Sequence, residues 1–124
     1  MPGYRRGRSR PCPKRQRRGM RLLLRPSLLL LLAESESHGY ELYDQLVTFG
    51  FETERLDSSI VYRDLREMEE QGYIESYWDE DSKGPKRRMY KIREEGKIRL
   101  AEWIDVLDNI QGQMKQLIKR YKTS

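Results

Sequence analysis

Apolar positions along the chain fall into segments of different period. Residues 1–21 hold almost no apolar anchor beyond Tyr4 and Met20, Arg, Gly and Pro supplying most of the rest. That composition buries too little surface to offset chain entropy and reads as a flexible arm. From about Pro26 to Glu34 the run Leu28–Leu32 with Ala33 predicts a short, mostly buried helix. Pro26 would stand in its first turn, where a missing N–H costs nothing. The polar stretch Glu34–Ser37 ends it and offers Ser37 as a cap for the next helix. There Leu42, Tyr43, Leu46 and Val47 form one stripe that closes at Gly50.

A third helix starts at Asp57 or Ser58, with Val61, Leu65 and Met68 turned inward and Gly72 as its stop. Its opposite face carries Ser58, Ser59, Tyr62, Arg63 and Arg66. Beyond Gly72 the period changes. Tyr73–Trp78 and Arg88–Ile92 are β-favouring runs flanking the turn-rich Asp79–Pro85, which predicts a hairpin whose tip is basic through Lys83, Lys86 and Arg87. From Glu94 onward Leu100, Trp103, Leu107, Ile110, Met114, Leu117 and Tyr121 recur at spacings of 3, 4, 3, 4, 3 and 4, three heptads of an a/d seam. Ile104 and Ile118 widen the stripe, and Gly112 weakens the helix by about 1 kcal/mol.

The expected fold class is therefore mainly α with a small β-hairpin. Residues 1–25 form an arm, 26–93 a winged helix-turn-helix, and 94–124 a long C-terminal dimerisation helix. Three helices followed by a basic-tipped hairpin is the order in which the last helix of the trio enters the major groove and the wing lies along the backbone.

Charge sharpens the picture. Ten of the 25 Lys and Arg and none of the 20 Asp and Glu fall in residues 1–25, so the arm carries +10 and the remainder −5. A basic arm on an acidic body points to a polyanion contacted at defined places, with double-stranded DNA the first candidate. Arg5, Arg6, Arg8 and Arg10 suit a narrow minor groove; the bland alternative is a solvated extension. A basic start followed by leucines also mimics a signal or transit peptide, but Ala33-Glu34-Ser35 gives no clean cleavage pattern. The leucine run is too short to span a bilayer.

Candidate chemistry is sparse. One Cys (Cys12) and one His (His38) exclude an intrachain disulfide, a zinc finger and a Cys/His catalytic site with a second His. A reducing, cytoplasmic setting fits; no metal, cofactor or enzymatic activity is expected. His38 reads as a residue at the start of a helix, and Cys12 as a free thiol rather than a redox sensor. On the third helix, Ser58 and Ser59 suit phosphates near the N-terminus, Arg63 or Arg66 suits a guanine edge, and Tyr62 suits the backbone. Tyr40 and Arg88 complete the expected DNA-contact set.

Three blocks in order carry a further signal: His38-Gly39-Tyr40-Glu41-Leu42, then Ser59 to Ile74, then Gly84-Pro85-Lys86-Arg87-Arg88-Met89-Tyr90-Lys91-Ile92 with Glu95-Gly96 beyond. Together they resemble the PadR-like transcriptional regulators over about residues 26–98, the smaller branch with one C-terminal helix. The resemblance implies a winged-helix DNA-binding domain, a homodimer built by the C-terminal helix, and repression relieved by a small ligand. Trp103 with Ile104 and Leu107 would then wall a pocket for a planar apolar effector; a plain dimer core residue is the alternative for Trp103. Ile92-Arg93 stands where the family often has Leu-Thr, which removes a Thr cap from the last helix. Two rival readings stay open: a non-specific nucleoid or RNA binder acting through the arm, and an adaptor that holds a protein partner.

Overall fold

The structure, a computed structural model, describes residues 13–52, 56–80 and 84–124. Helix α1 spans Pro13–Glu34, α2 Gly39–Gln45 and α3 Ser58–Glu70, with a 3-10 turn at Leu46–Phe49. Strands β1 (Ser37–His38), β2 (Ile74–Asp79) and β3 (Arg87–Ile92) form an antiparallel sheet in the order β1-β3-β2, and α4 runs Glu94–Thr123.

Helix α1 begins thirteen residues before the expected start, so Pro26 lies inside it instead of in its first turn. Pro13 takes the first-turn position that a proline ring suits, and the Lys, Arg and Gln residues behind it favour helix. Pro26 brings no N–H to the carbonyl of Leu22. The extension places residues 13–25, expected within the arm, in helical structure, and Leu24 is fully buried. Leu24, Leu28, Leu29, Leu31 and Leu32 form one side of the core.

Arg25, expected as an arm residue, is a structural clamp. Its guanidinium lies 3.3 Å from the buried carboxylate of Asp64, pairs with Glu67, and donates to Gln71 Oε1 at 3.4 Å. It thereby ties α1 to the back of α3.

Ser37 does not cap α2. It sits in β1, opposite Tyr90, and the cap position belongs to His38 with no side-chain cap bond. Val47, expected inward, is 56% exposed while Leu46 is fully buried. The 3-10 turn advances about 120° per residue instead of 100°, which rotates the position after Leu46 off the core stripe. Gly50, at φ 90°, ends this turn, and the hydroxyl of Tyr43 donates to the carbonyl of Leu56 at 2.7 Å, fixing the approach to α3.

Asp57 caps α3 by accepting the N–H of Ser59 at 2.9 Å. Val61, Leu65 and Met68 are fully buried as their spacing predicts, and Gly72 at φ 84° turns the chain into the hairpin. Ile74, Tyr90 and the partly buried Ile92 join the core from the sheet. Helix α4 continues unbroken through Gly112. Its N-cap, Arg93, makes no side-chain cap bond, as the missing Thr implies. Arg93 N–H instead donates to the Tyr73 carbonyl at 3.0 Å. A Cβ at Gly96 would collide with that same carbonyl oxygen, so only glycine lets α4 start this close to the hairpin.

Candidate nucleic-acid interface

Helix α3 is held from behind by its apolar stripe and by Arg25, which leaves its outer face free. Ser58, Ser59, Tyr62, Arg63 and Arg66 are all exposed on it. Among the described residues no acid pairs with Arg63 or Arg66, although α3 itself carries Asp64, Glu67, Glu69 and Glu70. The Ser59 N–H is occupied by the Asp57 carboxylate at 2.9 Å. The Ile60 N–H is likewise taken, by the Asp57 carbonyl at 3.0 Å. The Tyr62 ring packs over Gly39, where a Cβ would collide with it.

The wing is less free than its charge suggests. Arg87 donates to the Tyr40 hydroxyl and its guanidinium lies 4.9 Å from that ring's centroid. Lys86 reaches Glu80 at 3.6 Å across the exposed turn. Arg88 lies 5.2 Å from the Trp78 ring centroid and donates through Nε to Ser76 Oγ at 2.9 Å. Ser76 in turn donates to Glu69 Oε2 at 2.7 Å, which links the wing to α3. Lys83, Cys12 and the arm residues Arg5, Arg6, Arg8 and Arg10 lie outside the described residues.

Between α3 and the wing runs a groove of about 470 Å³ lined by Tyr62, Arg66, Glu69, Glu70, Arg88 and Tyr90. Tyr90 is buried at its floor, and that burial pushes its phenol above the ordinary range. At the other edge of the sheet, His38 bridges three elements. Its Nδ1 lies 2.6 Å from Glu41 and its Nε2 3.0 Å from Asp79, while the Tyr40 ring stacks on it with centroids 5.7 Å apart. The hydrogen bond to Glu41 raises its pKa, burial opposes this, and Asp79 raises it further.

The fold is similar to that of several solved structures. A PadR-like transcriptional regulator from Bacillus cereus is 26% identical, with a TM-score of 0.71 over 82% of this chain and 96% of its own. A conserved protein described as a potential transcriptional factor is 34% identical, with a TM-score of 0.70 over 95% and 96%. Bacillus subtilis PadR, solved in complex with operator DNA, shares the fold at 24% identity and a TM-score of 0.58, over 68% of this chain and 48% of its own. Residues 28–102 match the transcriptional regulator PadR-like family. The chain belongs to that family.

As in the reading from sequence, this PadR-like regulator combines a winged helix-turn-helix with a long C-terminal helix. The seam on α4 divides in two. Leu100, Trp103, Leu107 and Ile110 are half-buried, whereas Met114 and Leu117 are exposed, Leu117 to 72%. Trp103 meets Tyr73 edge-on at 6.3 Å, carries the Arg99 guanidinium 4.7 Å from its ring centroid, and lines a space of about 130 Å³ with Leu22, Arg25, Pro26 and Leu107. The first half of the seam is thus covered in part by α1 of the same chain. Ile104 is exposed at its flank. No described helix is long and apolar enough to cross a membrane.

Sequence reasoning missed Arg25, Asp64 and Ser76. Arg25 is one positive residue among ten in the first 25. Only the pairing of a buried Asp64 with a distant cation would have singled it out.

Proposed function

We propose that this PadR-like regulator binds double-stranded DNA sequence-specifically as a homodimer, recognising a roughly palindromic operator in the cytoplasm and repressing transcription from it. The observation that carries the reading is the pair Arg63 and Arg66, exposed three residues apart on the outer face of α3 with no acid partner among the described residues. An arginine left unpaired on such a face is available for bidentate contact with guanine or for phosphate. The fold shared with Bacillus subtilis PadR, itself solved with operator DNA, supports the same assignment. Ser58, Ser59 and Tyr62 contact the backbone beside them, Tyr40, Lys83, Lys86, Arg87 and Arg88 follow the wing, and Arg5, Arg6, Arg8 and Arg10 add salt-sensitive affinity. Two copies joined along α4 would set half-sites about one helical turn (~10 bp) or a multiple apart. A small apolar effector entering beside Trp103 relieves repression by altering how the α4 helices sit.

Selection of sheared genomic DNA by the purified protein at about 150 mM salt tests this reading. The expected result is enrichment of an inverted repeat upstream of a few genes, lost in an Arg63→Ala/Arg66→Ala variant. Diffuse recovery, unchanged in that variant, would move the binding to the arm.

A further inference from the structure

The acids of α3 are a hazard to its arginines. Glu67 stands four residues after Arg63, and Glu69 and Glu70 stand three and four residues after Arg66, all spacings at which side chains on a helix meet. A carboxylate that folded onto either arginine would neutralise it and set a negative charge where DNA phosphates arrive. Glu67 is drawn to the other side by Arg25. Glu70 follows Arg66 in the orientation that pairs least well on a helix. Glu69 has no cation drawing it to the far side among the described residues, and it lines the same groove as Arg66 and Arg88. It is instead held by Ser76, whose hydroxyl donates to Glu69 Oε2 at 2.7 Å and accepts from Arg88 Nε at 2.9 Å.

We propose that Ser76 is a positioning residue of the DNA interface: by holding Glu69 against the wing it keeps Arg66 free for DNA. A single hydroxyl suits this junction because it donates to the carboxylate and accepts from the guanidinium at once. Without it, Glu69 is left within reach of two guanidinium groups, and pairing with either removes a positive charge from the interface. This inference rests on the DNA-binding reading above.

The test measures binding to two labelled duplexes, the sequence most enriched in the genomic selection and a scrambled duplex of equal composition, for wild type, Ser76→Ala, Ser76→Thr, Glu69→Gln and Ser76→Ala/Glu69→Gln. Ser76→Ala is expected to weaken binding to the enriched duplex by about three- to tenfold and to make the salt dependence shallower by about one phosphate contact. Removing the Glu69 charge in the double variant restores both, and Ser76→Thr, which keeps the hydroxyl, retains both. If Ser76→Ala equals wild type, or if the double variant stays as weak as Ser76→Ala, the positioning role is wrong while DNA recognition stands. If wild type does not distinguish the two duplexes, the underlying DNA reading fails and this proposal fails with it.

Discussion

Gly39 and Tyr62 compete for one space: a Cβ on Gly39 would collide with Cε1 of the tyrosine ring, and the ring Cζ and the hydroxyl oxygen would lie 3.2 Å from it. Gly39 opens α2 and Tyr62 sits on the outer face of α3, so the glycine is what allows the two helices of the helix-turn-helix to close. The clash is with a side chain that can rotate, which directs the damage toward the interface. Gly39→Ala is expected to destabilise by about 1–3 kcal/mol through overpacking and to weaken DNA binding by displacing Tyr62. In a Tyr62→Ala background the same substitution should cost under about 1 kcal/mol. Equal costs in both backgrounds by urea denaturation would show that the ring is not what the glycine accommodates.

The Arg25 clamp yields a stability prediction. Asp64 is buried, and its oxygen faces Arg25 at 3.3 Å. Arg25→Met keeps the aliphatic stem, removes the charge, and leaves a buried carboxylate without its partner. Because Arg25 and Glu67 are partly exposed, the expected loss is about 1–3 kcal/mol, below that for a fully buried pair. Arg25→Met/Asp64→Asn should recover part of it. A thermal midpoint for Arg25→Met equal to that of wild type would show that the pair contributes nothing to holding α1 on α3.

His38 makes stability depend on pH with a definite sign. Both of its ring nitrogens face carboxylates, Glu41 at 2.6 Å and Asp79 at 3.0 Å, and only the doubly protonated ring donates to both. Its folded pKa is raised, first by the bond to Glu41. A raised value means the contribution is fully present below the unfolded value of about 6.5 and fades as pH rises through the folded one. Wild type should therefore lose on the order of 1 kcal/mol over that rise relative to His38→Gln, the scale of one charge-assisted hydrogen bond. Parallel pH profiles of the two thermal midpoints would sink the idea.

Period and punctuation explain which parts could be read in advance. Val61, Leu65 and Met68 at helical spacing, with Gly72 behind them, located α3 and therefore its exposed face, because burial and turn chemistry are local in sequence. The hairpin runs were equally plain, and β2 and β3 fall within a residue of them. Strand β1 is two residues long and exists only because Ser37 and His38 pair with Tyr90 and Met89, a contact across half the chain. Arg25 reads in the sequence as one more charge in a basic segment, because its place on α1 follows from a helix that reaches back to Pro13. Ser76 gave no signal, since its meaning lies in joining Glu69 to Arg88 from two other elements.

The two halves of the apolar stripe on α4 differ in burial. Leu100 and Trp103 pack on their own core, whereas Met114, Leu117, Ile118 and Tyr121 stand 51–81% exposed with no cover among the described residues. Under the proposed homodimer, four apolar residues on one exposed stripe of a helix are where a second copy would pack. Leu117→Glu should therefore convert a micromolar dimer to monomer in sedimentation while leaving the thermal unfolding of the winged domain in place. Its DNA affinity should fall by about a hundredfold or more, because two half-sites no longer engage as one linked unit. Trp103→Glu should behave differently, lowering stability as well as assembly, because that ring also meets Tyr73. A Leu117→Glu protein that still sedimented as a dimer and bound DNA normally would remove α4 from the assembly and leave the exposed face of α1, with Leu22 and Leu23, as the next surface to vary.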